Sequence, residues 1–458
     1  MTHFDLVIVG TGSGNSILDS RFAGWRVAIV ERGTFGGTCL NVGCIPTKMF
    51  VHTADLAATP AASAKLGVEA ELRGVRWTDV RDRIFGRIDP IASGGRAYRT
   101  SHADNENVTV YDGTARFTGP RRLAISGYEE ELTADRIVLA NGSRPIVPPG
   151  LEGIEYHTSD TVMRVDELPR RMVIVGTGFV ASEFAHVFAA FGVDVTIVGR
   201  SGRMLRHEDE DISARFTELA AQRWDLRMNR TLRGASRVDG GIRVDLSSVD
   251  GPESIETDLV LVAIGRKANS DTLDASNAGI ELTENGRVRV DATQRTTAEG
   301  VWALGDVSSP WELKHVANHE ARVVQHNLLN PSAPIASDHR FVPHAVFSSP
   351  QVASVGVTEQ QARERGTRYV KSTQDYADIA YGWAMEDTTG FAKLLADPAT
   401  GQLLGAHIIG PQASTVIQPL IQAMSFGLDA RSMAKGQYWI HPAMPELVEN
   451  ALLNLPLD

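Results

Sequence analysis

Two cysteines occur among 458 residues, Cys39 and Cys44, five positions apart in the stretch GGTCLNVGCIPTK over residues 36–48. Two thiols at that spacing can form a disulfide if a loop brings their Cα atoms within about 4.4–6.8 Å. They could equally be two buried, inert side chains, or half of a zinc site, although no further cysteine exists to complete one and C-x4-C is not a usual zinc spacing. The flanking residues favour redox chemistry. Gly36 and Gly37 allow the backbone to approach a ligand closely. Pro46 suits the first turn of a helix, which would set Cys44 at a positive helix end that stabilises a thiolate.

The elements around this pair read as dinucleotide folds. Residues 4–10 form an apolar strand, followed by Gly10-Thr11-Gly12-Ser13-Gly14-Asn15 and then a second strand, residues 26–30, that ends in Glu31. Strand, glycine turn, helix, strand and acid make the βαβ fingerprint of a dinucleotide site. Gly10 permits the tight turn and Gly12 lets the backbone reach a pyrophosphate. The helix N-terminus would face the phosphates, and Glu31 the ribose hydroxyls. Asn15 stands where Gly or Ala usually allows close helix–strand packing. The signal recurs at residues 172–175, Gly176-Thr177-Gly178-Phe179-Val180-Ala181, a helix through Phe191 and a strand over residues 194–198. Two fingerprints imply two dinucleotides. The second strand ends in Gly199-Arg200, with Arg203 and Arg206 beyond, and arginines offer planar forks for a 2′-phosphate where an acid would hold a 2′-hydroxyl.

GGTCLNVGCIPTK resembles the redox-disulfide signature of the flavin-dependent pyridine nucleotide–disulfide oxidoreductases. Four more segments follow in that family's order: LANGSRP (139–145), AIGRKAN (263–269), VWALGDV (301–307) and HPAMPE (441–446). The resemblance spans essentially the whole chain. It implies an α/β fold with two Rossmann-like dinucleotide-binding domains, for FAD and NADPH, plus a C-terminal α+β dimerisation domain. The expected division is 1–149 for FAD, 150–269 for NADPH after the Pro148-Pro149-Gly150 linker, 270–335 returning to FAD, and 336–458 for the dimer interface. FAD would meet Gly10, Gly12, Ser13, Gly14, Glu31, Gly37, Thr38, Asn141 (Thr in the family), Gly142 and Asp306. NADPH would meet Gly176, Gly178, Phe179, Arg200, Arg206 and Gly265. Cys39 and Cys44 would be the redox disulfide, with Cys44 nearer the flavin and Cys39 attacking the substrate. Lys48 and Glu183 would form the pair beside the flavin N5. His441, oriented by Glu446, would serve as acid–base toward the other subunit's disulfide, with Ala443 replacing a threonine.

Within the family, stretches such as GTGSGNSILD, AYGWAMEDT and GQYWIHPAMPELVENALL resemble the branch that reduces mycothione, the disulfide of mycothiol. Where glutathione-reducing members place a cation, this chain has the polar, neutral Asn15, Ser16 and Ser20, though Arg322 matches a second substrate-side arginine. The alternatives are reduction of another small disulfide, such as glutathione disulfide, or a flavin-binding protein without catalysis.

The remaining features narrow the setting. A net charge of −11 argues against nucleic acid and anionic membranes. No apolar run approaches a membrane span, and two cysteines in a chain without a leader fit a cytoplasmic homodimer. A helix carrying His315, His319, Glu320 and His326 invites a metal reading, but HExxH would require His at the position of Val323, so no metal is expected. Residues 77–100 read as an amphipathic helix on Val80, Ile84, Ile88 and Ile91, broken at Pro90. Strands, a long helical run and a last helix are expected beyond Arg340.

Overall fold

From Leu6 to Val9 both faces of the strand Thr2–Val9 are buried. Leu6 and Ile8 join one apolar cluster with Ile17, Phe22, Ile29, Val138 and Val324, while Phe4, Val7 and Val9 join another with Val30, Ile137 and Val301. A continuous apolar run buried on both faces is the signature of a strand in a parallel sheet between layers. Thr2–Val9 pairs in parallel with Val27–Glu31 on one side and Leu132–Leu139 on the other. Val108–Asp112 and Val301–Ala303 extend the parallel set, and Ala115–Gly119 and Arg122–Ile125 complete a seven-stranded sheet in antiparallel sense. The helix Lys314–Leu329 lies against the Leu6 face because its buried residues recur as Val316/Ala317, Glu320/Ala321, Val323/Val324 and Asn327/Leu328, one stripe at helical spacing.

The computed structural model describes all residues from Met1 to Asp458. They group into two compact units, each drawn from three segments: 1–47, 79–146 and 265–338 in the first, and 48–78, 147–264 and 339–458 in the second. The second unit holds a five-stranded parallel sheet in the order Asp225–Met228, Asp194–Gly199, Arg171–Val175, Leu259–Val262, His157–Thr158. It also holds a three-stranded antiparallel sheet over Thr231–Thr257 and, toward the C-terminus, a five-stranded antiparallel sheet in the order His344–Val346, Gln351–Gly356, Leu403–Gly410, Phe391–Ala396, Val370–Asp375. The helices Gln418–Phe426, Ala430–Lys435 and Glu446–Leu453 share a core with that last sheet through Leu420, Ala423, Met433, Leu447 and Ala451.

Five local expectations are corrected. The segment after the first glycine turn is not an α-helix but two 3-10 turns, Ser13–Ile17 and Ser20–Phe22, separated by extended backbone at Leu18 and Asp19. The close packing assigned to position 15 falls on Gly14, where a Cβ would sit 2.7 Å from the Ala140 Cβ. Pro90 does not break its helix, which runs unbroken over Trp77–Ser101. Pro90 and Gly86 are both exposed, so the carbonyl that loses its partner faces water. Ile91 is also exposed, and the buried stripe continues instead through Phe85, Ile88 and Ala92. Finally, the long C-terminal helical run is three helices, Ala413–Val416, Gln418–Phe426 and Ala430–Lys435, the second ending at Gly427 in the left-handed conformation.

Candidate active site

In the first unit two glycine turns meet. Gly37, at φ 71°, lies so close to Gly12 that a Cβ would come 2.6 Å from its Cα, and a Cβ on Gly10 would overlap the Ala140 carbonyl. The turns are tied by Thr11. Its N–H and hydroxyl donate to Glu31 Oε2 at 2.9 and 2.6 Å, and its hydroxyl accepts the Gly36 N–H at 3.0 Å. Glu31 Oε1 takes the Gly33 N–H at 2.9 Å. The expected ribose acid therefore also shapes the turn. Asn15 does not face outward as a recognition residue: its Oδ1 and backbone carbonyl accept from the buried Arg99 at 2.8 and 2.9 Å. Ser16 donates to the Ser13 carbonyl at 2.6 Å. Ser20 and Arg322 are exposed.

Cys39 lies in the short helix Gly37–Asn41, and Cys44 opens the helix Cys44–Ser63. Gly43 caps that helix with its carbonyl, which receives the Thr47 N–H at 3.1 Å and the Thr47 hydroxyl at 2.7 Å. Pro46 sits in the first turn, where no partner for its nitrogen is needed. Asn41 Nδ2 fastens the approach by donating to the carbonyls of Phe35 and Gly37, each at 3.0 Å. Both cysteines stand as thiols, Cys39 half-buried and Cys44 exposed. The hydrogen bond between them, followed by burial, pushes the Cys39 pKa well above the ordinary thiol range, against a smaller pull from the Lys314 charge.

The same unit carries the 141–144 and 305–307 segments. Asp306 accepts the Ser143 hydroxyl at 2.6 Å, and Arg266 Nε donates to that hydroxyl at 2.8 Å. Asn141 and Asn269 exchange side-chain-to-backbone bonds, at 3.1 Å from Asn141 Nδ2 and 2.7 Å from Asn269 Nδ2. Gly142 turns the chain with φ 63°, and Gly265, at φ 126°, accepts the Ile146 N–H at 3.0 Å. The buried Glu320 accepts the Gly305 N–H at 2.7 Å, so this carboxylate of the His-rich helix braces the turn before Asp306. His326 bonds the Ala333 carbonyl and His319 accepts the Asp338 N–H.

In the second unit Lys48 Nζ contacts both oxygens of Glu183, at 2.7 and 2.8 Å. Glu183 is buried, and its Oε1 also accepts the Phe347 N–H at 3.0 Å, while the Lys48 ammonium lies 4.7 Å from the Phe347 ring centroid. Nothing in the residue types flags Phe347, because its contribution is a backbone donor and a ring face. Behind this pair, Arg223 donates to His186 Nδ1 at 3.2 Å, so Nε2 carries the proton and donates to Asp55 at 2.7 Å. Asp55 lies two turns along the helix from Lys48, and no spacing in the sequence announces the contact.

The second glycine turn has what the first lacks. Gly176 packs under the Ala263 carbonyl, and Gly178 starts the helix Phe179–Ala190 without a side-chain cap, leaving backbone donors for an anion. Phe179 is exposed on the first turn, as are Arg200, Arg203 and Arg206 beyond the following strand. The turn is fixed by Leu205 N–H to the Thr177 carbonyl at 2.9 Å and by the Ser213 hydroxyl to the Met204 carbonyl at 2.7 Å. Near the C-terminus His441 Nδ1 bonds Glu446 Oε1 at 2.5 Å, and Glu446 Oε2 accepts the Ala443 N–H at 3.3 Å. The imidazole is exposed and its carboxylate partner largely buried, so one ring edge is anchored and Nε2 is left outward.

Two nucleotide folds, a vicinal thiol pair at a helix start and an anchored imidazole define a flavin-dependent thiol–disulfide enzyme. The chain belongs to the pyridine nucleotide-disulphide oxidoreductase family, which it matches over residues 4–321, and residues 342–452 match that family's dimerisation domain. It is 56% identical to the mycothione reductase of Mycobacterium tuberculosis over 466 aligned residues, covering 99% of this chain and 100% of that protein. It is 32% identical to the dihydrolipoyl dehydrogenase of Corynebacterium glutamicum, over 98% of this chain and 97% of that one. Among solved structures, the copper(II) complex of the HOCl-induced flavoprotein disulfide reductase RclA of Escherichia coli superposes with a TM-score of 0.86 at 29% identity, over 99% of each chain.

The cofactors are FAD and a nicotinamide dinucleotide, and the residues present fit them. The Gly12–Gly37 approach is a cradle that a single Cβ would fill, and Asn141 Oδ1 is buried without a hydrogen-bond partner. No helix is long and apolar enough to cross a membrane.

Proposed function

We propose that this chain is an NADPH-dependent mycothione reductase, working in the cytoplasm as a homodimer whose subunits share each active site. The observation that carries the substrate is the full-length identity of 56% to a mycothione reductase, against 32% to a dihydrolipoyl dehydrogenase of similar length. The preference for NADPH rests on the exposed Arg200 and Arg206, which stand where an acid would favour the unphosphorylated ribose. The four-part domain division, with segments 1–149 and 270–335 for FAD, 150–269 for NADPH and 336–458 for the partner chain, belongs to the same proposal.

When bound, FAD supplies a two-electron relay between the reduced nicotinamide and a disulfide. The protein's part is to hold charges and move protons. Lys48, fixed by Glu183, offers a positive charge one helical turn beyond Cys44. Cys44 at its helix start is stabilised as a thiolate by the helix dipole. Cys39, with its raised pKa, keeps its proton at neutral pH until a base removes it. That base is the partner subunit's His441, held by the carboxylate of Glu446. The Cys39 thiolate then attacks one sulfur of the substrate disulfide, forming a mixed disulfide and expelling one mycothiol thiolate, to which the imidazolium returns the proton. The Cys44 thiolate attacks the Cys39 sulfur, re-forming the Cys39–Cys44 disulfide and expelling the second mycothiol as a thiolate that takes its proton from water. The two enzyme cysteines are oxidised to a disulfide and one substrate disulfide is reduced.

The test is NADPH oxidation by the purified holoenzyme over a panel of mycothione, glutathione disulfide and lipoamide. The kcat/KM for mycothione should exceed the others by at least about a hundredfold, or some 2.7 kcal/mol of transition-state preference. Comparable efficiency with glutathione disulfide or lipoamide would overturn the substrate while leaving the disulfide-reductase chemistry standing.

A further inference from the structure

We propose that Lys314 is the charge that holds the diphosphate of the flavin dinucleotide, in place of the helix dipole that is missing at the first glycine turn. The proposal rests on the reading that the Gly10–Gly14 turn receives FAD. A helix attracts phosphate because the dipoles of several aligned turns add. The second glycine turn leads into such a helix, the 12 residues Phe179–Ala190. The first leads into the five-residue 3-10 turn Ser13–Ile17 and then extended backbone, which sums to little. The turn is further disfavoured for an anion by Glu31, whose carboxylate is hydrogen-bonded to Thr11 within it. The glycine contact between Gly12 and Gly37 also leaves no room for a side chain of the turn itself to supply compensating charge.

Lys314 supplies it from elsewhere in the chain. It is the first residue of the helix Lys314–Leu329, which packs on the same sheet face as Ile17 through Ala321, Val324 and Leu328. Its Nζ donates to the Ser13 hydroxyl at 2.8 Å. That hydroxyl in turn donates to Asn318 Oδ1 at 3.0 Å, one turn further along the same helix. Because the Ser13 proton is committed to Asn318, a lone pair of the hydroxyl faces the ammonium, and Lys314 is planted on the glycine turn. The partner is a hydroxyl and not a carboxylate, so the full charge is retained. An ammonium has three donors, and the two not used on Ser13 remain for phosphate oxygens.

The experiment measures FAD binding to purified apoprotein, by the change in flavin fluorescence, at rising salt, for wild type, Lys314→Gln and Lys314→Arg. Lys314→Gln should weaken FAD binding about tenfold or more, as loss of a charge-assisted phosphate contact does. It should also flatten the salt dependence, while Lys314→Arg keeps most of the affinity. An affinity for Lys314→Gln within about twofold of wild type would overturn the proposal; the Lys314 charge would then serve Cys39 alone. If Lys314→Gln does not fold, a wild-type affinity that is independent of salt overturns the proposal without it. Failure of wild-type apoprotein to take up FAD would instead overturn the underlying assignment of the turn.

Discussion

The proposed preference for NADPH rests on two exposed arginines. Arg200 follows the strand Asp194–Gly199 directly, and Arg206 lies on a turn whose neighbours Met204 and Leu205 are buried and hydrogen-bonded. With the backbone fixed and the guanidinium groups in water, each arginine would meet a 2′-phosphate at low ordering cost. Replacing both by alanine should lower kcat/KM for NADPH by about tenfold or more per contact, on the order of 1.5–3 kcal/mol each, with NADH nearly unaffected. Steady-state kinetics with both nucleotides decide the matter; equal losses would reduce the arginines to a structural role. Motif and charge single out these residues and the two cysteines in the sequence, and the structure places the arginines on the surface. The role of Asn15 was not legible: its residue type suggests a polar contact to a ligand, and only the fold shows Arg99 occupying it. Phe347 was illegible for a different reason, since a backbone N–H carries no residue-type signal.

At the scale of elements, strands and amphipathic helices were legible wherever one period held for several residues. The 3-10 turns after Gly14 were not, because a glycine turn followed by apolar Ile17 and Leu18 looks the same whether the turn is 3.6-fold or tighter. Long-range polar contacts were equally hidden. The segment joining the Arg206 turn to the helix Glu210–Ala221 is bound to the C-terminal sheet: Glu208 accepts from His344 Nε2 and from the Ser354 hydroxyl, both at 2.7 Å, and the buried Asp209 accepts from buried Lys393 at 2.8 Å. Burial opposes charge on His344, but the Glu208 hydrogen bond and charge outweigh it and raise its pKa above 6.5. Burial likewise opposes charge on Glu208, and His344 outweighs it, so that pKa lies below 4.5. The His344 contribution to stability is therefore complete below pH 6.5 and is lost as pH rises through its folded value. The Glu208 contribution is complete above pH 4.5 and is lost as pH falls through its own. His344→Gln should cost about 1–2 kcal/mol between those two values and less at alkaline pH. Urea unfolding of variant and wild type across pH checks it, and a deficit that grows on alkalinisation would contradict the assignment.

For the whole molecule, sequence order and spatial grouping differ, and that difference limits what a sequence can show. Each compact unit is built from three separated segments, and one boundary falls inside the helix Cys44–Ser63, between Thr47 and Lys48. The motif order along the chain was readable; that Ser143, Arg266 and Asp306 join in one hydrogen-bonded group was not, because 123 and 163 residues separate Ser143 from its two partners. On the proposed function, an electron pair entering as hydride leaves through Cys39 and Cys44 to a small disulfide. The most direct measurement is anaerobic: one equivalent of NADPH is added to oxidised holoenzyme, thiols are alkylated, and labelled peptides are mapped by mass. New label is expected on Cys39 and Cys44, and should be lost when one equivalent of mycothione is added before the alkylating agent. Flavin reduction that leaves both cysteines unlabelled, or label that mycothione does not remove, would contradict it.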